Sequence, residues 1–277
     1  MPRLNELLQT DSETRKIRLP VQEALPIRID PEGAREAVLL LHGFGGIPGE
    51  LEPLAQGLAS AGYAVYAPRY PGHGTCRRDF LQTRAEDWTR RAYDAYLELR
   101  ADYEVVHVAG HSMGGLLAAS IAISFSAPKL ILLAPAFEFS IKYIGLTPLI
   151  ARFKRVITQN RPLSVFDTQS PARKALQPDY WADVMVAPAA ELMRLNRLCR
   201  RNIKRLKSHT LLILGERDQT IPTHVAEYLR QAAPRAASFE THIIEDASHL
   251  FPFNEYAPET VRTVLEWMAS KNEPSRV

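Results

Sequence analysis

Two cysteines, Cys76 and Cys199, are the whole thiol content of 277 residues. Two cannot build a disulfide framework for a chain of this length, and such low usage suits a reducing compartment. Excess charge is also scarce, since 34 Lys and Arg against 31 Asp and Glu leave a formal +3. With no zinc-knuckle spacing, no RNP-like segment and no lysine-rich tract, that balance argues against a nucleic-acid partner. No apolar run approaches the roughly 18 residues that a membrane span needs, so no stable membrane insertion is expected. The opening "MPRLNELLQTDSETRKIRLP" lacks the apolar core of a signal peptide, and a cytoplasmic location is expected. The eight histidines show no ligand spacing such as H-E-x-x-H. Neither a metal nor a cofactor is therefore expected.

What is present is an ordinary globular composition, 46% hydrophobic and 23% charged, without internal repeats. Its length allows one α/β domain with an insertion. Short, β-branched or Leu-rich apolar runs recur along the chain and read as buried strands. They are "EAVLLLHG" (Glu36 to Gly43), "AVYAPRY" (Ala64 to Tyr70), "EVVHVA" (Glu104 to Ala109), "KLILLAPAF" (Lys129 to Phe137), "HTLLILGERD" (His209 to Asp218) and "FETHIIEDASH" (Phe239 to His249). An extended lead-in is expected over Lys16 to Asp30. Helical periodicity separates the strands over Glu50 to Gly62, Ala85 to Tyr103, Thr223 to Ala233 and Pro258 to Lys271. Alternating strands and helices imply a mostly parallel sheet covered on both faces.

One stretch breaks the alternation. From Glu138 to Ser208 there is no convincing buried strand, and Pro148, Pro162, Pro171, Pro178 and Pro188 punctuate helix-like pieces. This is too long for a plain connection. It reads as a mainly helical cap, residues 138–208, inserted into a core made of residues 1–137 and 209–277.

The chemistry centres on "HVAGHSMGGLLA", His107 to Ala118. A strand runs into Ser112 and an Ala- and Leu-rich helix leaves it. A turn that sharp strains the backbone at the serine and requires small residues two positions to either side, which Gly110 and Gly114 supply. The pattern is G-x-S-x-G, a nucleophile elbow that holds a hydroxyl above a parallel sheet. A serine hydroxyl needs a base to take its proton, and the base needs a partner to fix its tautomer. The expected chain order is serine, acid, histidine. His249 in "EDASHLFPF" is the candidate base and Asp218 in "LLILGERDQTIP" the candidate acid, both just beyond strands. Asp246 and Glu216 are the rival carboxylates, Asp246 reading more simply as a solvated or loop-capping group. His42, His73 and His111 also lie near strand ends, with His111 expected to pack beneath the elbow. His107, His209, His224 and His242 have no catalytic context. A developing oxyanion needs hydrogen-bond donors. The glycine-rich "HGFGG" (His42 to Gly46) offers the Phe44 amide, and Met113, next to the nucleophile, offers the other. A plain tight turn is the simpler alternative for that loop, and no phosphate-loop pattern opens a helix there.

With these residues in place the sequence resembles the α/β-hydrolases, in the branch of bacterial carboxylesterases and monoacylglycerol lipases. "LLHGFGG", "YPGHGTCRRDFLQTRAEDW", "AGHSMGG", "LLILGERDQTIP" and "DASHL" carry the likeness, spread from Leu40 to Leu250 in family order. The resemblance implies an α/β-hydrolase fold and hydrolysis of short- to medium-chain acyl esters or monoacylglycerol-like lipids. It implies a structural role for His73 in the Pro71–Gly74 loop. Serine rather than aspartate at position 112 sets it apart from dehalogenases and epoxide hydrolases of that fold. Thioesterase, perhydrolase and carbon–carbon hydrolase activities on the same three residues stay open, as does a non-catalytic ligand binder.

Two apolar stretches of the cap raise further expectations. "FEFSIKYIGLTPLI" places many apolar residues at the start of the insertion, too many for a solvated connector. Ile141 and Ile144 are candidates to line an acyl pocket, the alternative being that the set packs the cap onto the core. "ELMRLNRLCRRNIKRLK" (Glu191 to Lys207) is basic and amphipathic, with Leu192, Leu195, Cys199, Ile203 and Leu206 on one stripe. It reads either as a cap helix or as a helix lying on an anionic membrane.

Overall fold

The protein, a computed structural model, is described over residues 22–159, 174, 176 and 180–270. Its strands are β1 (Ile27–Ile29), β2 (Glu36–Leu41), β3 (Ala64–Ala67), β4 (Val105–His111), β5 (Lys129–Leu133), β6 (His209–Gly215) and β7 (Ser238–Ile244). They form one sheet in the order β1-β3-β2-β4-β5-β6-β7. Every pairing is parallel except that of β1 with β3. The helices are α1 (Glu52–Ser60), α2 (Arg77–Gln82), α3 (Ala85–Asp102), α4 (Met113–Phe125), α5 (Thr147–Ile150), α6 (Val186–Asn202), α7 (Val225–Ala232) and α8 (Ala257–Ala269). Helix α1 packs with α8, while α3 packs with α4 and α6.

Central strands read as continuous apolar runs because both of their faces are covered. Ala37 to Leu41 of β2 and Leu130 to Leu133 of β5 are fully buried. The terminal strand β7 is mostly half-buried, with only Ile244 fully enclosed. Several strands are shorter than their apolar runs. The run from Lys129 stops pairing at Leu133 because Ala134 turns to φ 40° and donates to the Ile213 carbonyl at 2.8 Å. The run from Phe239 ends at Ile244, and Asp246 turns the chain at φ 57° before His249. Only Ile27–Ile29 of the extended lead-in is a strand, pairing antiparallel with β3, and Lys16 to Val21 lie outside the described residues.

Between β5 and β6 the described residues form a short 3-10 turn (Ile144–Leu146), α5 and α6, with a two-residue bridge of Ile157 to Val184. Pro162, Pro171 and Pro178 lie outside the described residues. The apolar stripe of the basic segment is buried, with Leu192, Leu195, Cys199, Ile203 and Leu206 all at 5% exposure or less. Cys199 donates to the Leu116 carbonyl of α4, and burial raises its thiol to about 12. That stripe is therefore a packing face and is not available to a membrane surface.

Beneath the loop that follows β2 lies a knot of enclosed rings. His42 stacks at 4.2 Å from Tyr70 and 5.3 Å from His73, and His73 packs on Phe80 at 4.9 Å and Trp88 at 5.6 Å. The imidazoles donate only to backbone, His42 to the Gly43 carbonyl at 3.0 Å and His73 to the Pro71 carbonyl at 3.1 Å. Enclosure disfavours a charged ring. Burial therefore holds His42 well below its ordinary value and His73 down to about 4 from 6.5. An unfolded chain binds these protons at about pH 6.5 and the folded one does not, so stability is complete above that pH and is lost as pH falls toward 4. For His73 the full loss amounts to roughly 3 kcal/mol. Urea unfolding at stepped pH should show this slope, and His73→Asn, which keeps a donor for the Pro71 carbonyl, should reduce it while the His42 contribution remains. An unchanged slope in a folded variant would assign the acid sensitivity elsewhere.

Candidate active site

The geometry of the site follows from one turn. Strand β4 ends at His111 and α4 begins at Met113, leaving Ser112 alone to reverse the chain at φ 54°, ψ −114°. A non-glycine residue held there costs on the order of 1–3 kcal/mol. Three backbone bonds hold it. Ser112 N–H donates to the Leu133 carbonyl at 2.9 Å, and the Ser112 carbonyl accepts from Gly115 and Ala136, each at 3.0 Å. A Cβ on Gly114 would stand 1.9 Å from the Leu41 oxygen, and one on Gly110 would stand 2.1 Å from the Gly114 oxygen. Both positions therefore exclude any side chain.

The loop after β2 comes up against this turn. A Cβ on Gly43 would lie 3.3 Å from His111 Nδ1 and 3.4 Å from Ser112 Cβ. Strand order reverses direction between β2 and β4, so Phe44 and Met113 flank the topological switch where α/β sheets bind ligands. The Phe44 ring rests on Phe80 at 5.0 Å and Trp88 at 6.0 Å, which aims this loop from below. Met113 is fully buried.

Asp218 and His249 follow β6 and β7, and parallel pairing delivers them to the same sheet edge as Ser112. His249 Nδ1 lies 2.6 Å from Asp218 Oδ2, with side-chain exposures of 16% and 1%. The other oxygen, Oδ1, accepts from Thr220 N–H at 2.7 Å and Ile221 N–H at 2.9 Å, so the carboxylate has a single orientation. A Cβ on Gly215 would lie 2.5 Å from the Ala247 oxygen, which is how the acid and base loops come within reach. The rival carboxylates are turned elsewhere. Asp246 pairs with Arg217 at the surface, and Glu216 accepts from the Asp246 N–H at 3.1 Å.

Three further residues, none a site candidate by sequence, touch these loops or the loop after β3. His111 Nε2 bonds the His249 carbonyl at 3.0 Å, and the two rings lie 4.7 Å apart. The residue before the serine thus props the loop of the histidine, and its place at a strand end was the available signal. Trp181 covers the loop after β2, its Nε1 standing 3.2 Å from where a Gly45 Cβ would be. Tyr180 donates to the Gly72 carbonyl at 2.6 Å. Both come from the stretch between β5 and β6, where no periodicity marked them. The cap-start candidates behave differently, since Ile141 is 48% exposed and Ile144 is half-buried. Phe137 of the same stretch is fully buried, and Phe139 packs on the core. Among the described residues no group of three or more His, Cys, Asp or Glu side chains is placed to hold a metal ion.

Comparison with known proteins agrees with this architecture. A thermostable monoacylglycerol lipase of Bacillus sp. (strain H-257) is 41% identical over 91 residues, which span 33% of this chain and only 36% of that lipase. A carboxylesterase of Bacillus subtilis (strain 168) is 26% identical over 199 residues, covering 72% of this chain and 78% of the esterase. The solved structure of a metagenome-derived lipolytic enzyme superposes with a TM-score of 0.77 at 23% identity, covering 89% of this chain and 98% of that one. That last likeness speaks to the fold alone. Residues 38–263 match the Alpha/beta hydrolase family, running from β2 into α8, and the chain belongs to that family.

Proposed function

We propose that this protein is a serine hydrolase of carboxylic esters that works through an acyl-enzyme on Ser112. The observation that carries this reading is the 2.6 Å contact of His249 Nδ1 with a buried Asp218, on the sheet edge that holds Ser112 in its strained turn. With Nδ1–H donating to Asp218, Nε2 is left as the proton acceptor. Ser112 Oγ bonds to the ester carbonyl carbon while Nε2 takes its proton. The backbone amides of Phe44 and Met113 receive the oxyanion. Collapse breaks the carbon–oxygen bond to the alcohol, which leaves with the proton from His249. Water then adds by the same route, its proton passing to Nε2, and the acid departs with Ser112 restored. Asp218 stays ionised throughout and stabilises the imidazolium.

The substrates proposed are short- to medium-chain acyl esters or monoacylglycerol-like lipids, in keeping with two Bacillus relatives that are named a carboxylesterase and a monoacylglycerol lipase. A cap formed by residues 138–208, with Trp181 over the loop after β2 and Tyr180 over the loop after β3, would exclude water from the acyl-enzyme. Thioesters use the same three groups, so the assay pairs each oxygen ester with its thioester.

Ser112→Ala should abolish hydrolysis of p-nitrophenyl butyrate and labelling by a fluorophosphonate, while circular dichroism stays that of the native protein. Turnover near the native rate in that variant would end the proposed mechanism. Asp218→Asn should lower kcat by about 10³-fold or more, because the wrong tautomer then faces the serine. Asp246→Asn should stay within about threefold, since its surface pair with Arg217 contributes little. Reversal of those two results would move the acid to Asp246 and leave the reaction class standing.

A further inference from the structure

An arginine-lined groove separates the junction of α2 and α3 from the segment that carries α5 and α6. It encloses about 1050 Å³. Arg78 and Arg84 come from one wall, Arg152 and Arg155 from the chain after α5, and Arg194 and Arg197 from α6. Among the described residues the walls carry one carboxylate, Glu191. Glu191 is already engaged, accepting from the Ala85 N–H at 3.1 Å and lying 3.8 Å from Arg194. Arg194 also pairs with Glu86 at 2.9 Å. Over the whole chain 34 basic residues face 31 acidic ones, whereas the described residues of these walls hold six arginines and one carboxylate. Arg194 is paired with Glu86 and Arg155 donates to the Leu81 carbonyl, so Arg84, Arg152 and Arg197 are the groups on which a ligand would depend. Cations gathered on one groove raise a positive potential there that draws in an anion.

We infer that this groove binds a phosphate-bearing ligand. Three features select phosphate over other anions. Among the described residues all six basic groups are arginines, whose planar forks match phosphate oxygens in paired hydrogen bonds, and none is a lysine. A carboxylate brings one charge and two oxygens, too few for guanidinium groups arriving from three separate elements. Leu81, Pro148, Ala151 and Ala187 add apolar surface to the lining, so an organic ester of phosphate fits better than the inorganic ion. The same chemistry is found on soluble phosphate esters and on phospholipid headgroups. Beside the groove, Leu146, Leu149 and Phe153 are 50%, 57% and 84% exposed, which suits a lipid source. The site is separate from the proposed chemistry and is linked to it through Phe80, which precedes the lining residue Leu81 in α2 and packs on Phe44 at 5.0 Å.

The test uses the full-length protein and the double variant Arg152→Glu/Arg197→Glu, whose side chains are exposed and outside the proposed machinery. Calorimetry with glycerol 3-phosphate and pyrophosphate forms one arm, and sedimentation with phosphatidylglycerol against phosphatidylcholine vesicles forms the other. Binding is expected in at least one arm, weakened tenfold or more in the variant and by added salt, with hydrolysis of p-nitrophenyl butyrate unchanged. The arm that binds identifies the source. If the glutamate variant unfolds, Arg152→Gln/Arg197→Gln replaces it. Failure of the wild type to bind in either arm, equal binding by the variant, or acetate binding as tightly as the phosphate probes would each overturn the inference. Loss of esterase activity on Ser112→Ala leaves this test untouched, so the two readings fail separately.

Discussion

No side chain fits two positions to either side of Ser112. The carbonyl of Leu41, at the end of β2, occupies the space that a Cβ on Gly114 would need, and Gly110 and Gly114 face each other at a similar range. This contact sets how close the first turn of α4 can come to β2. Because it is so close, α4 runs directly off β4 and over the sheet, where its residues from Met113 to Ala119 are buried. The strain of one residue is thereby offset by a helix with almost no solvent-facing side. Hydrogen bonds from Ser112 to Leu133 and from Ala136 to Ser112 then tie the turn to the next strand end. Without two glycines the helix would have to lift away, and the serine would lose its position above the sheet.

Parallel pairing extends this local constraint to the rest of the site. Since β2 and β4 to β7 all point one way, the loops that follow them share an edge. Loops on a common edge still need fixed heights, and short-range contacts supply these. Gly215 admits the Ala247 carbonyl, which joins the loops carrying Asp218 and His249. His111 bonds the His249 carbonyl, which joins that loop to the elbow. Enclosed neutral histidines stand beneath the loop after β2, where a charged group would be costly. The polar groups of the site therefore stand on an interior that carries little charge.

Those elements whose signal is local could be read from the amino acids alone. Buried strands such as Ala37 to Leu41 declare themselves because both faces demand apolar residues, and G-x-S-x-G declares itself because sterics permit little else. Asp218 and His249 were legible through chain order and their place after strands, although nothing local distinguishes Asp218 from Asp246. Their three-dimensional surroundings differ, since Asp218 receives two backbone N–H groups and Asp246 meets Arg217 at the surface. The stretch between β5 and β6 was least legible. Its apolar residues divide between contact with the core, as at Phe137, and open surface, as at Tyr143 and Leu149, and no period separates the two fates. Trp181 acquires its place over Gly45 from tertiary folding, which spacing cannot encode.

Helix α6 shows how one element answers several demands at once. Its apolar stripe is held to α4 by burial and by the Cys199 bond to Leu116. A quarter-turn away, the buried Asn196 donates to the Ala136 and Phe137 carbonyls at 2.7 and 2.9 Å. Ala136 in turn donates to the Ser112 carbonyl. Two hydrogen bonds thus connect α6 to the residue in the strained turn, while Arg194 and Arg197 leave the same helix toward the groove. A helix anchored this firmly presents its arginines on a rigid wall, so little side-chain ordering beyond the guanidinium stems is needed when an anion arrives. The amphipathic basic pattern that resembled a membrane-surface helix has a physical cause in this double duty. Apolar residues are required on the face toward α4, and the cations occupy the remaining faces, Arg194 and Arg197 toward the groove and Arg200 toward Phe137 and Tyr228.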